Sequence, residues 1–354
     1  MHQKNVRFTL CAYTFMNIEI PIWPYVYGSP SGVGKIRTVA EDFTVYENLA
    51  FEPSGDGEHV FLQIQKIGEN TDYVARQLAK FANVRQRDIG FAGLKDRHAV
   101  TTQWFSVWLP GKIEPDWAAF ETNAIKVLQS IRHARKLKRG VLSGNRFEIT
   151  IRDWRGDHAK TCEQLALIKT NGIANYYGEQ RFGNQGQNVN KALAMFKGEK
   201  VKCEQRSLYL SATRSYLFNQ ILSVRVIAAN WNKALDGDTF MFDLSQSCFK
   251  SQFSDAGILQ RLEAKIIHPS GVLWGKGDLD VSADALLMEQ RIIEANDDLA
   301  EGLVVDGVEK SRRALRVNVE NLEWQFSDQA SLKLCFTLPA GCYATALLRE
   351  VVEV

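Results

Sequence analysis

Apolar and polar positions alternate with a period of two in several parts of the chain, the signature of half-buried strands. Phe43, Val45 and Glu47 alternate with Thr44 and Tyr46, and Val60, Leu62 and Ile64 alternate with their neighbours. Phe147, Ile149 and Ile151 repeat the pattern after the turn Ser143-Gly144-Asn145. The period changes at Thr71, which is expected to cap a helix with an inner face of Val74, Leu78 and Phe81. Ile89 to Ala92 then reads as a short buried strand broken by Gly93, and Gln103 to Leu109 as a longer one rich in Trp, Phe and Val. This places Asp96 in a loop between two strands. Gly28, Pro30, Gly32 and Gly34 read as a turn-rich lead into the first strand.

From about Ala159 the pattern becomes helical, most clearly over Ser207 to Asn230, where Leu210, Leu217, Ile221 and Val224 fall near one face. The change marks a candidate boundary. Leu332, Leu334, Phe336 and Leu338 restore the strand period, and Pro339-Ala340-Gly341 closes it before a short helix carrying Arg349 and Glu350. Strands at both ends around a helical middle predict an α+β protein in which an insertion interrupts one sheet domain. The expected division is residues 1–170, an insertion over 171–316, and a return over 317–354.

A chain of 354 residues fits two domains better than one. Its hydrophobic fraction of 45% and charged fraction of 24% are those of an ordinary folded protein. The formal charge of +2 says little by itself, so clustering decides whether a polyanion is bound. The six cysteines are scattered without a C-x-x-C pair, which predicts no zinc cage or disulfide framework and fits a reduced cytoplasmic compartment. Phe8, Leu10, Phe15 and Ile18 are interrupted by polar residues and Glu19, so neither a signal peptide nor a membrane anchor is expected.

Candidate chemistry centres on Gly90 to Thr101. Here Asp96 stands between Lys95 and Arg97, and adjacent cations favour the ionised carboxylate that nucleophilic attack requires. For a lone K-D-R tripeptide a solvated loop charge is the commoner explanation. Between Ile131 and Arg146 the chain carries Arg132, Arg135, Lys136, Lys138 and Arg139 with no acidic residue, a run suited to a phosphate backbone or to a plain solvated face. Phe43, Phe147 and Tyr343 offer aromatic faces to an unstacked base, and Asn145 offers an amide to its edge. Core packing or turn formation would explain each as well. The histidines show no metal-ligand spacing, and there is no G-x-S-x-G, G-x-G-x-x-G or P-loop sequence, so neither metal nor cofactor is expected.

Taken together, Ala40 to Val45, Gly90 to Trp104, Leu142 to Phe147, Asn175 to Gly183, Leu210 to Ser215 and Pro339 to Glu350 resemble the TruD family of tRNA pseudouridine synthases. The resemblance runs from about Gly34 onward. It implies a pseudouridine-synthase-type catalytic domain on a mixed, largely antiparallel sheet with a helix-rich α/β insertion. It also implies tRNA as partner, uridine 13 as target and no cofactor. By resemblance Asp96 is the nucleophile, Phe43 and Asn145 contact the target nucleotide, Phe147 replaces a stacking tyrosine, and Tyr343 contacts substrate. Two positions depart from the family pattern. Arg37 stands where a lysine is expected as partner of Asp96 and would pair bidentately, and Tyr343 stands where phenylalanine is common. The competing expectations are a non-catalytic tRNA-binding or RNA-chaperone protein, whose tRNA binding would survive Asp96→Asn, and an RNA-cleaving hydrolase, which would need a His pair or a metal cluster.

Overall fold

A computed structural model describes residues 18–111, 113–251, 255–327 and 330–354. The apolar residues Phe8, Leu10 and Phe15 lie outside the described residues. The first half of the chain forms β1 (Gly32–Lys35), β2 (Phe43–Leu49), β3 (His59–Ile67), α1 (Thr71–Phe81), β4 (Ile89–Phe91), β5 (Val100–Trp108), β6 (Ile125–His133), β7 (Leu142–Gly156) and α2 (His158–Asn171). The middle supplies β8 (Ile173–Ala174), α3 (Gln187–Phe196), α4 (Cys203–Ile227), β9 (Thr239–Phe242), β10 (Cys248–Lys250), α5 (Ala256–Glu263), β11 (Ile267–Leu273), α6 (Ala283–Glu294), α7 (Asp297–Val305), β12 (Ser311–Ala314) and β13 (Arg316–Val317). The chain then closes with β14 (Glu320–Ser327), β15 (Ser331–Pro339), α8 (Ala344–Leu348) and β16 (Val352–Glu353).

The fold is α+β. Among the described residues ten strands form one sheet in the order β14-β15-β7-β2-β5-β3-β6, with β1 on β7, β16 on β1 and β4 on β5. Only β1–β16 and β2–β5 pair in parallel, so the sheet is mixed and largely antiparallel. The polypeptide leaves this sheet after α2, builds the four-stranded sheet β10-β9-β11-β12 among α3 to α7, and returns at β14. The alternation read from the sequence is the alternation of burial: Val60, Leu62 and Ile64 are fully buried against α1, and Ile149 and Ile151 against α2.

Four details differ from the sequence reading. Gly32 and Gly34 belong to β1 rather than to a turn. A Cβ on Gly32 would stand 2.4 Å from the indole Nε1 of Trp154 on β7, so glycine is there for close approach. Asn70, not Thr71, occupies the cap position of α1, and the Thr71 hydroxyl is spent on Gln103. Phe81 and Val224 lie at the edges of their helices rather than on the inner faces, and Phe81 packs on Trp117 and Phe120. The change of period near Ala159 is not a change of core, because Leu165 and Ile168 of α2 pack with Ile149 and Ile151 of the large sheet.

Candidate active site

Register, not proximity in sequence, assembles the site. On β2 and β7, Phe43 lies opposite Ile149, Val45 opposite Phe147 and Glu47 opposite Asn145. On β15, Phe336 lies opposite Phe147 and Leu338 opposite Asn145. Because side chains alternate with period two, these residues share one face of three neighbouring strands. Phe43 and Phe147 are buried, with their rings edge to face at 6.3 Å, and Phe147 stacks on Phe336 at 5.3 Å. They form a buried aromatic cluster within the core of the sheet. Asn145 is only half-buried, yet its Oδ1 is enclosed without a hydrogen-bond donor among the described residues. Leaving a buried acceptor unpaired costs on the order of 1–3 kcal/mol.

The loop between β4 and β5 passes beside this face. Lys95 pairs with Glu47 at 2.7 Å in the interior, and Glu47 also accepts the Trp104 amide at 2.8 Å. Burial pushes the Glu47 carboxyl up, against the opposing pull of Lys95 and that amide. The Lys95 amide donates to Thr71 Oγ1 at 3.0 Å, and Gln103 Nε2 donates to the Gly93 carbonyl at 2.7 Å. A loop tied at both side chain and backbone presents its next residue, Asp96, in a fixed place.

Asp96 Oδ2 meets Arg37 Nη2 at 2.6 Å, and Oδ1 accepts the His98 amide at 3.1 Å. The contact with Arg37 is single, not the bidentate fork expected of a guanidinium: Oδ1 meets the His98 amide, and the buried Arg37 Nε has no hydrogen-bond partner among the described residues. The Arg37 guanidinium lies 4.3 Å over the Phe43 ring, a cation–π contact. Arg37 adopts φ of 58°, a left-handed conformation that costs roughly 1–2 kcal/mol for a residue with a Cβ. Such strain is tolerated where the surrounding contacts impose it. The Asp96 side chain remains 30% exposed and opens into a cleft of about 760 Å³. Lys35, two residues before Arg37, is exposed and pairs with Asp153 at 2.8 Å.

The cleft is also lined by Asn70, Tyr73 and Arg76 at the start of α1 and by Gln180 from the helical middle, none of which sequence reasoning singled out. Phe43, Asn145 and Phe147 do not line the cleft, and neither does Tyr343. Its hydroxyl accepts hydrogen bonds from Arg181 at 2.6 and 3.1 Å, and its ring meets Tyr177 edge-on at 5.9 Å. The hydroxyl that sets it apart from phenylalanine therefore fastens the return segment to the strip carrying Gln180.

The basic run divides. Arg132 is engaged with Glu114 at 3.2 Å and with the Leu109 carbonyl, and Lys136 with the Arg87 carbonyl at 2.5 Å. Arg135, Lys138 and Arg139 are exposed. Their loop docks just before the Asp96 segment, since Gly140 donates to the Ala92 carbonyl and Leu137 to Ser106 Oγ. Gly90 permits this, as a Cβ there would lie 2.3 Å from the Leu137 carbonyl oxygen.

Comparison with known proteins identifies the family and the fold. The model of the family tRNA pseudouridine synthase D (TruD) matches residues 19–199 and 184–351, nearly the whole described chain. The chain belongs to the TruD family. It is 50% identical over 332 residues to tRNA pseudouridine synthase D of Methylococcus capsulatus, covering 93% of this chain and 94% of that one. It is 42% identical to tRNA pseudouridine synthase D of Hydrogenovibrio crunogenus, covering 95% and 98%. A crystal structure titled as the putative TruD of Methanosarcina mazei superposes with a TM-score of 0.72 at 22% identity, over 95% of this chain and 97% of that one, which supports the pseudouridine synthase fold.

Proposed function

We propose that this TruD-family enzyme converts uridine 13 of tRNA to pseudouridine, with Asp96 as the nucleophile and the target base turned out of its stack. That the chain is a tRNA pseudouridine synthase rests on its family and on curated relatives 42–50% identical over most of its length. The observation that carries the finer reading is the Asp96 carboxylate, oriented by Arg37 and the His98 amide yet open to the cleft. A carboxylate so held has one direction in which to attack.

In this reading Arg135, Lys138 and Arg139 receive the RNA backbone, and Arg132 and Lys136 support that surface. The extruded uridine settles toward the aromatic cluster of Phe147 and Phe43 as these residues open to the cleft, with its N3–H donated to the unpaired Asn145 Oδ1. Asp96 attacks the nucleotide, uracil is detached, turns within the pocket and rejoins the ribose through C5, and the C5 proton is lost. Isomerisation has no net co-reactant, so the reaction asks for no cofactor or metal. The helical middle, residues 171–316, is the insertion that walls the cleft opposite the large sheet and brings Gln180 and the Arg181–Tyr343 fastening to it. An enzyme working on tRNA belongs in the cytoplasm. No helix among the described residues is long and apolar enough to cross a membrane.

The test is tritium release from a tRNA transcript labelled at uridine C5, without metal or nucleotide. The native protein is expected to release a single equivalent, Asp96→Asn none above background, and a transcript with cytidine at position 13 none. Release by Asp96→Asn at the native rate would overturn the nucleophile, and release from the cytidine transcript would overturn the target. Equal tRNA binding by both proteins without release would favour the non-catalytic RNA-binding alternative.

A further inference from the structure

Lys66, near the end of β3, is 1% exposed. Lysine is almost never buried to that degree without a carboxylate partner, and no carboxylate among the described residues forms an ion pair with this one. Its Nζ instead donates to two main-chain carbonyls, that of Glu69 at 2.7 Å and that of Asp96 at 3.2 Å. The lysine backbone is itself immobilised, paired with Thr101 on β5 and with Ile125 on β6. One side chain therefore reaches from the interior of the sheet to two segments outside it: the turn that opens α1 and the loop that carries Asp96. Burial pushes the ammonium down to about 8, with Asp96 and Glu69 acting to raise it and Lys95 to lower it. A methionine would fill similar space without burying a charge, so packing does not account for a lysine here.

We propose that Lys66 is a positioning residue for the pseudouridine reaction, tying the main chain of Asp96 to β3 and thereby holding its carboxylate between Arg37 and the His98 amide. The inference rests on Asp96 being the nucleophile. An ammonium suits the task because its three donors converge on one tip and satisfy two carbonyls from different segments at once. A displacement of the attacking group by about 1 Å costs on the order of 100-fold in rate.

The test compares kcat and KM for tritium release, tRNA affinity by filter binding, and the folded fraction by circular dichroism. It uses the full chain and its Lys66→Met, Lys66→Gln, Lys66→Arg and Asp96→Asn variants. Lys66→Met is expected to lower kcat by roughly 30- to 100-fold while leaving KM and tRNA affinity within about twofold. Lys66→Gln, which keeps donors, should fall between, and Lys66→Arg should recover part of kcat. Native kcat in Lys66→Met would overturn the proposal. A loss of kcat matched by loss of tRNA affinity or folded fraction in both Lys66→Met and Lys66→Gln would overturn it in favour of a purely structural role. If Asp96→Asn is as active as the native chain, the nucleophile assignment fails instead, whatever Lys66 does.

Discussion

Two lysines beside the cleft are accommodated in opposite ways. Lys95 is paired directly with a buried carboxylate, whereas Lys66 donates only to two main-chain carbonyls, with the charges of Asp96 and Glu69 acting from further off. The second arrangement makes stability depend on pH. Below about 8 Lys66 is protonated in both folded and unfolded chains, and the folded state bears the full burial penalty. Between about 8 and the ordinary value of 10.5 the unfolded chain holds a proton that the folded chain has released, so stability rises with pH through this window and the penalty is gone above it. The stability of the native chain relative to Lys66→Met should therefore increase by about 2 kcal/mol from pH 7 to 9.5. Urea melts of both proteins at the two pH values check this, since pH-independent differences cancel. A constant difference would mean that Lys66 titrates like an exposed lysine. This residue was hidden in the sequence for a definable reason: Val60, Leu62, Ile64 and Lys66 share one face by the period of two, but a lysine at the end of a strand reads as a surface residue. Asp96 was legible because its loop lies between two clear strands and the cations flanking it are adjacent in sequence. Gln180 stands in the Asn175 to Gly183 stretch that carries the resemblance, but nothing in that stretch marks its amide as cleft-lining.

Among elements, β7 and the loop before it do the most to connect fold and site. The strand contributes Asn145 and Phe147 to one face, and the loop projects Arg135, Lys138 and Arg139 while Leu137 anchors it. The strand was readable because its alternation is local. The division of the basic run was not, because the partners of Arg132 and Lys136 are main-chain and side-chain groups of distant segments. The division makes a prediction. Replacing Arg135, Lys138 and Arg139 together by glutamine should weaken tRNA binding and flatten the slope of log affinity against log salt by about 2, since each phosphate contact contributes roughly 0.7–0.9. The Arg132→Gln variant should lose stability, by about 1 kcal/mol as expected for a half-exposed ion pair with added hydrogen bonds, and leave the slope unchanged. Binding titrations across a salt series distinguish the two. An unaltered slope in the triple variant would remove this loop from the RNA surface.

At the scale of the whole molecule, the stretch 18–31 ties the helical middle to the last residues of the chain, a role invisible in a sequence whose first thirty residues show no clear period. Its contacts are with residues far along the chain. Ile18 exchanges two 2.8 Å hydrogen bonds with Asn190 at the front of the helical middle. Trp23 is buried there, its ring 6.0 Å from Tyr176 and 6.1 Å from Tyr216. A few residues on, the amides of Val26 and Tyr27 donate to Glu350, and Arg349 donates to the Pro24 carbonyl, both in the segment that follows the large sheet's last long strand. Tyr27 completes the strap through the Gly172 carbonyl at 2.7 Å. Removing the indole should therefore loosen one wall of the cleft without touching Asp96, Arg37 or Lys66, all of which are held on the large sheet. Trp23→Ala is expected to cost about 3–5 kcal/mol in urea unfolding, the usual range for a buried tryptophan. Among molecules still folded it should raise KM for tRNA several-fold while kcat stays close to native, because under the proposed function the wall that meets the RNA moves and Asp96 does not. Steady-state tritium release at saturating and limiting tRNA separates these effects. A fall in kcat with KM unchanged would mean that the strap acts on the chemistry through the sheet rather than on the cleft.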